Sequence, residues 1–459
     1  MALPEPSSPG EREKGHDDDK EKAGAIAENE LSVAASDEAG EDIGTEGGYR
    51  AWATVLGGFF VQFCGFAYCT SFGVFQDYYT RIYLSEASPS AISWIGSVSA
   101  FLSIALSLAT GPLYDKGYFY HLLYSGCFLM AFSLFMTSLA KPNQLYQVFL
   151  SQGVGYGLGS GLAYLPTVAV VSQHFKRRQS LAMILIHSGS SVGAIVHPLM
   201  LNKLLGNPNV SFATTVRASA GLNTGLLVIA CLLIRDGTLK APPRLVQNSE
   251  ARVTKPGLSE VLRRCARDVP FVIFALSSFT FATGIWFPGF YLQLSAIMHG
   301  VPQSFWSYIF TIMNSVGLVG TLLPTLMLQR IRIDFTFIFS ALVIASSVFA
   351  MMGLKDLAST AAITVLFGFF IGSFFSLQAP MVALLTEDSS QLGTRLGIAF
   401  AFGACGALVG PPIHGTLLTG DFIWWRPAVF SGIFSLAGAL GFATIPILIR
   451  RRRLARGVR

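Results

Sequence analysis

Very few residues in this chain have the types and settings needed for chemistry. Gln62, Thr70, Gln293, Asn314, Thr321 and Gln378 are isolated amides and hydroxyls inside long apolar stretches, and His187, His197 and His414 are histidines in similar surroundings. An amide both donates and accepts, so each of these can hold an organic solute in a cavity or tie one helix to another. An ionisable group inside a membrane segment is a candidate functional site, and histidine changes charge near neutral pH. His187 is the favoured proton carrier, because His197 and His414 adjoin prolines near expected helix ends. No cluster of His, Asp and Glu has the spacing to activate a nucleophile or hold a metal, so neither catalysis nor a cofactor is expected. The glycines Gly153, Gly155, Gly157, Gly159 and Gly161 do not follow a strand, which argues against a nucleotide loop. At helical spacing Gly153, Gly157 and Gly161 share one face and allow another helix to approach closely.

The elements that must position these residues are apolar spans. The chain is 52% hydrophobic and only 13% charged, with a mean hydropathy of +0.54. Twelve segments, near 51–75, 92–112, 119–140, 145–171, 181–202, 214–234, 270–297, 305–328, 334–353, 360–385, 396–418 and 427–449, are each long enough for a span of about 20 residues. A β-barrel is excluded, since its strands would alternate every second residue. The expectation is an all-α membrane protein of twelve transmembrane helices in two pseudo-symmetric six-helix halves, 49–234 and 270–449, joined by a cytoplasmic linker at 235–269.

Charge placement sets the topology. Met1 to Gly48 holds 14 acids and 4 bases, without an aromatic residue, and reads as a disordered cytoplasmic tail. The remaining residues hold 12 acids and 28 bases. With both ends cytoplasmic, the inner loops and the basic tail at 450–459 carry 21 Lys/Arg against 6 in the outer loops, which decides the orientation. These short-loop bases suit anionic lipid headgroups rather than nucleic acid. The six cysteines show no paired spacing and read as reduced apolar side chains. The N-terminus has no apolar core of a cleavable signal peptide, so the first span must direct insertion, and the plasma membrane is the expected destination.

Several motifs carry a resemblance. Gly111-Pro112-Leu113-Tyr114-Asp115-Lys116-Gly117, between spans two and three, resembles the loop signature of the major facilitator superfamily, in which the Asp braces neighbouring helix ends. Lys116 stands where Arg is common, and the second-half counterpart ends Gln329-Arg330, without the acid. Glu46-Gly47-Gly48-Tyr49-Arg50-Ala51-Trp52 and His174-Phe175-Lys176-Arg177-Arg178 are similar to the paired signatures of the monocarboxylate-porter family within that superfamily. Gly393-Thr394-Arg395-Leu396-Gly397 and Gly410-Pro411-Pro412-Ile413 look like its fungal branch. This resemblance implies a secondary transporter working by alternating access, with Asp115, Lys176, Arg177 and Arg178 as gating or structural residues, and protons as a candidate coupling ion. Lactate-type carriers place a Lys near the end of span one and an Asp–Arg pair in span eight. Here Tyr68-Cys69-Thr70-Ser71-Phe72-Gly73 has no cation, and Gly320 is followed by Thr321. A partly apolar organic substrate therefore fits better than a small anion, and export of a secondary metabolite leads over proton-coupled uptake of a carboxylate or vitamin. A nutrient sensor on the same scaffold is the rival of another class.

Asn209-Val210-Ser211 is an acceptor sequon in an outer loop of this topology. One endoglycosidase-sensitive band shift is expected, abolished by N209Q. An unshifted wild-type band in the secretory pathway would count against an outer position for this loop.

Overall fold

The computed structural model describes residues 48–175, 178–235, 258–327, 330, 332–386, 392–419 and 421–455. The acidic tail, most of the linker, Lys176, Arg177 and Gln329 lie outside the described residues. Tyr49–Arg459 forms one unit.

Its membrane helices are α1 (Tyr49–Tyr83), α2 (Pro89–Ala105, continued after Leu106 by Ser107–Asp115), α3 (Phe119–Ser138), α4 (Leu145–Val171), α5 (Gln179–Leu205), α6 (Phe212–Leu233), α7 (Val269–Met298), α8 (Ile309–Leu326), α9 (Ile333–Ala350), α10 (Leu357–Leu385), α11 (Leu392–Leu418) and α12 (Trp425–Ala455). Eleven described helices are long and apolar enough to cross a membrane, and α2 is the shorter twelfth. Among the first six, α1 packs on α4, α5 and α6, and α3 packs on α4 and α6. Among the last six, α7 packs on α11 and α12, α8 on α10, and α9 on α10 and α12. The two sets meet where α1 touches α7, α2 touches α11 and α5 touches α8.

The structure differs from the expected bounds in three places. The first span does not end at 75. Breaks at Gly65 and Ser71 and a π-helical last turn at Tyr79–Tyr83 re-aim the helix without ending it, so Asp77 is inside it. The expected linker holds a helix at Leu258–Arg267, with α7 starting at Val269. α12 runs on to Ala455, past the expected start of the basic tail at 450.

Local chemistry explains several ends. Gly117, at φ +87°, takes the left-handed position that stops α2, and Tyr118 N donates to the Leu113 carbonyl at 3.2 Å. Asp356 starts α10 by accepting from Ser359 N at 2.9 Å, and the Ser359 hydroxyl and N–H hold its carboxyl below the usual range.

The glycine run of α4 faces two neighbours at once. A Cβ at Gly157 would lie 2.8 Å from the Ser99 Cα of α2, and one at Gly159 would lie 2.7 Å from the Met130 nitrogen of α3. The expected shared face of Gly153, Gly157 and Gly161 is the one against α2. In detergent, Gly157→Leu should lower the thermal midpoint, with overpacking costing at least about 1–3 kcal/mol. An unchanged midpoint would mean that α2 and α4 are not held this closely.

Candidate transport site and gate

Two clamps hold the helix ends on the side where the chain enters and leaves the bundle. Trp52 of α1 meets Phe175 at the end of α4 edge-on, with centroids 5.1 Å apart, so the two signature stretches of the first half touch. Beside them His174 Nε2 lies 2.9 Å from the Arg235 carbonyl, and Arg235 N donates to Thr54 Oγ1 at 3.2 Å. In the second half Arg395 of α11 donates to Asp268 Oδ2 at 2.7 Å and to the Leu385 carbonyl at 3.0 Å. Its guanidinium also lies over the Phe271 ring at 5.1 Å. Arg395 had read as a loop base; the structure makes it a buried strut between α7, α10 and α11.

Away from the clamps, on the opposite side, the two sets of helices are stitched by a polar seam. Asp77 Oδ2 accepts from Gln293 Nε2 of α7 at 3.1 Å, while Arg81 holds the same carboxylate, Nη2 to Oδ2, at 2.7 Å. Gln293 exchanges two hydrogen bonds with Asn202 of α5, at 3.0 and 3.2 Å, and Asn202 also donates to the Ser307 carbonyl at 2.9 Å. A second group joins α2 to α7 and α11. Ser93 bonds the Tyr291 hydroxyl and, at 3.2 Å, Gln76 Oε1. Ser90 donates to the Pro412 carbonyl at 2.8 Å, and Thr416 donates to Ser90 Oγ at 3.0 Å. Thr311 of α8 reaches the Ile195 carbonyl of α5 at 3.4 Å. Phe72 and Phe290 fill the space behind these groups, with centroids 5.4 Å apart.

The residues singled out in the sequence are mostly dispersed. Of these, Gln293 enters a network spanning several helices. Thr70, Asn314 and Thr321 donate to carbonyls of their own helices, at 2.8, 2.8 and 3.0 Å. Gln62 is buried on α1 with neither amide atom hydrogen-bonded, and Gln378 is buried on α10. His187 is exposed on α5. His197 Nε2 lies 3.1 Å from the Phe63 carbonyl, its ring between Phe63 and Tyr68, while the His414 ring lies against Phe287 and Phe430. Arg178 and Asn209 are exposed, and Asp115 ends α2, its side chain outside the described structure.

Asp77 adds an ionisable residue inside a span to the histidines singled out in the sequence, because α1 is two turns longer than its apolar text. Its sequence signal is the i, i+4 pair Asp77–Arg81, which suits a helix and not a loop. Asn202 and Tyr291 were also missed, and no spacing marks either one.

Two sets of six apolar helices, clamped on one side and stitched by polar groups on the other, form the body of a membrane carrier. A profile of the Major Facilitator Superfamily matches residues 54–361, and the chain belongs to that superfamily of transporters. It is 32% identical to the agnestins efflux protein of Paecilomyces divaricatus, over 93% of this chain and 94% of that one. It is 31% identical to the aspyridones efflux protein of Emericella nidulans, over 86% of this chain and 78% of that one. The fold is similar to that of a peptide transporter (TM-score 0.68, 13% identity, 87% of this chain and 95% of that one) and of a nucleoside transporter (TM-score 0.63, 16% identity, 86% and 99%).

Because the Arg395–Asp268 pair is buried, removing either partner strands a charge. R395A and D268A should each destabilise the protein by about 3–5 kcal/mol, and the double variant by less than their sum. Additive losses in denaturation midpoints would mean the two residues do not act as a pair.

Proposed function

We propose that the chain exports a partly apolar organic molecule of the secondary-metabolite class by alternating access, as a fungal-type monocarboxylate porter in the plasma membrane with both ends cytoplasmic. The observation that carries this reading is how the paired charges are used. Among the described residues, Arg81 is committed to Asp77 and Arg395 to Asp268, which leaves amides, hydroxyls and aromatic rings as the surface a solute meets. A small carboxylate would require a cation aimed into the chamber. Relatives named as efflux proteins for aspyridones and agnestins support the direction of transport.

In this reading the two sets of helices, 49–234 and 270–449, rock about a midplane site. The polar seam is the closed outer gate, and the clamped side is the cytoplasmic one. Gln62, Thr70, Asn314, Thr321 and Gln378 contribute hydrogen bonds to the substrate, and His187 stands at the inner approach along α5. Asp115 and the Lys176-Arg177-Arg178 turn brace the inner helix ends.

Deleting the gene in its source organism should raise the cell-to-medium ratio of one secondary metabolite, since passive leak alone would then carry it out. If every such metabolite keeps its distribution while uptake of an organic acid falls, the uptake reading replaces export.

A further inference from the structure

A pocket of about 170 Å³ opens beside the polar seam, between the end of α5 and the α7–α8 turn. Water takes about 30 Å³ a molecule, so the space suits about six waters or an organic ion of a few carbons. That is below the roughly 300–1,000 Å³ of sites for drug-sized molecules, so a secondary metabolite needs a different site. Asn202 lines the pocket, buried at 7% exposure and already committed to Gln293 and the Ser307 carbonyl. The two walls belong to the two sets of helices, Lys203 and Asn207 on one side, Gln303 and Tyr308 on the other. Across the gap between them, a Cβ on Gly206 would lie 3.8 Å from Gln303 Nε2.

The walls carry donors that the protein itself does not use. Lys203 is exposed and forms no ion pair among the described residues, and no acid lines the pocket. Asn207 Oδ1 accepts from Asn209 N at 3.0 Å, which leaves its Nδ2 for a ligand. Gln303 accepts from the Ser307 hydroxyl through its backbone carbonyl, so its side-chain amide is left for the pocket. The carbonyl end of α5 would repel an anion, but Gly206 N and Asn207 N already answer Asn202 and Leu204 there, at 3.0 and 3.3 Å. A lysine in the last turn complements that helix end too, a role that requires neither a pocket nor facing amides. One ammonium and two amide nitrogens around one space match a carboxylate, whose two oxygens only accept. Leu199 and Tyr308 add an apolar lining that a carbon chain covers and inorganic phosphate leaves wet.

We propose that this pocket is an external regulatory site for a small organic carboxylate, which bridges Lys203 and Asn207 to Gln303 and holds the outer gate shut. Because its walls sit on opposite sides of the seam, opening the gate pulls them apart and destroys the site. A ligand that binds the closed form alone shifts the equilibrium towards it, by a factor of one plus the ratio of its concentration to its Kd. An exporter must open outwards to release its cargo, so the external carboxylate slows export. The inference rests on the alternating-access reading above. Its test uses neither cargo nor flux, so failure of the site and failure of the export reading are separate results.

The probe is succinate, titrated by calorimetry into the purified full chain carrying N209Q, which keeps a glycan off the same loop. One site should appear, and neutral succinamide should not bind. K203Q and Q303A change opposite walls, and each should raise the succinate Kd about tenfold or more, the worth of one hydrogen bond to a charged group. Gate coupling is read in a G73L background, because a Cβ at Gly73 would lie 2.4 Å from the Gly289 carbonyl oxygen in the closed seam. There the pair S90C/T416C, from hydroxyls whose oxygens are 3.0 Å apart across the seam, should cross-link slowly with copper. Succinate at ten times its Kd should speed that reaction about tenfold. The pair T137C/S151C within the first six helices, also from oxygens 3.0 Å apart, should not respond, which corrects for copper held by succinate. Absence of binding, or a Kd that ignores K203Q or Q303A, would overturn the site. Phosphate binding as tightly as succinate would overturn the organic class, and an unchanged S90C/T416C rate would overturn the hold on the gate. If G73L fails to fold, the oxidised S90C/T416C protein, locked shut, must still bind succinate, and loss of binding there overturns the proposal equally.

Discussion

Inside a bilayer a polar group has no water to turn to, so every donor and acceptor must find a partner within the protein or lose several kcal/mol. The rest of this structure follows from that constraint. Backbone groups are satisfied by helices, and hydroxyls mostly bond back to the preceding turn, as Thr54, Thr137, Thr167 and Thr364 do. The few side chains that cannot do this are held in place by neighbouring helices. Arg395, Asp77, Gln293 and Asn202 are each fixed by partners on other helices or a turn away, and together they mark the two ends of the carrier.

Much of the architecture was legible because it obeys periods and lengths. Spans of about 20 apolar residues read directly as helices, and the spacing of Gly153, Gly157 and Gly161 predicted one close-packed face. The signatures around Trp52 and Phe175 were visible as text, but their contact was not, since 123 positions separate them. The seam was harder to see for a physical reason. Hydropathy falls where a helix carries an ion pair, so the reading stopped at residue 75 although the helix runs to Tyr83. That shortfall moved Asp77 from a helix core to an imagined loop. Asn202 and Tyr291 show no pattern in one dimension, because their roles depend on which helix lies opposite.

The two kinds of contact in this molecule differ in how easily they part. Within each set of six, helices meet backbone to backbone: the α8–α10 contact runs through Gly317, Gly320, Gly368 and Gly372, where a methyl would press on the neighbour's carbonyls. Such surfaces cannot slide without losing dispersion along their whole length. Between the sets, backbones also come close at Gly73 against Gly289 and at Gly415 against Ser90, but the polar contact is made by Ser90, Ser93, Asn202, Gln293, Tyr291, Thr311 and Thr416, whose groups can exchange protein partners for water as a cleft opens.

Magnitudes favour a reversible closure. Side-chain hydrogen bonds between membrane helices average about 0.6 kcal/mol, so a seam of this kind contributes only on the order of 5 kcal/mol from its polar groups. Moving a two-state equilibrium from 1:99 to 99:1 takes about 5.5 kcal/mol. The seam is thus matched to what the binding of one solute can supply. A seam of buried Arg–carboxylate pairs like Arg395–Asp268 would hold far more tightly. The molecule places that kind of pair within one set of helices and leaves the crossing between sets to neutral donors around a single carboxylate.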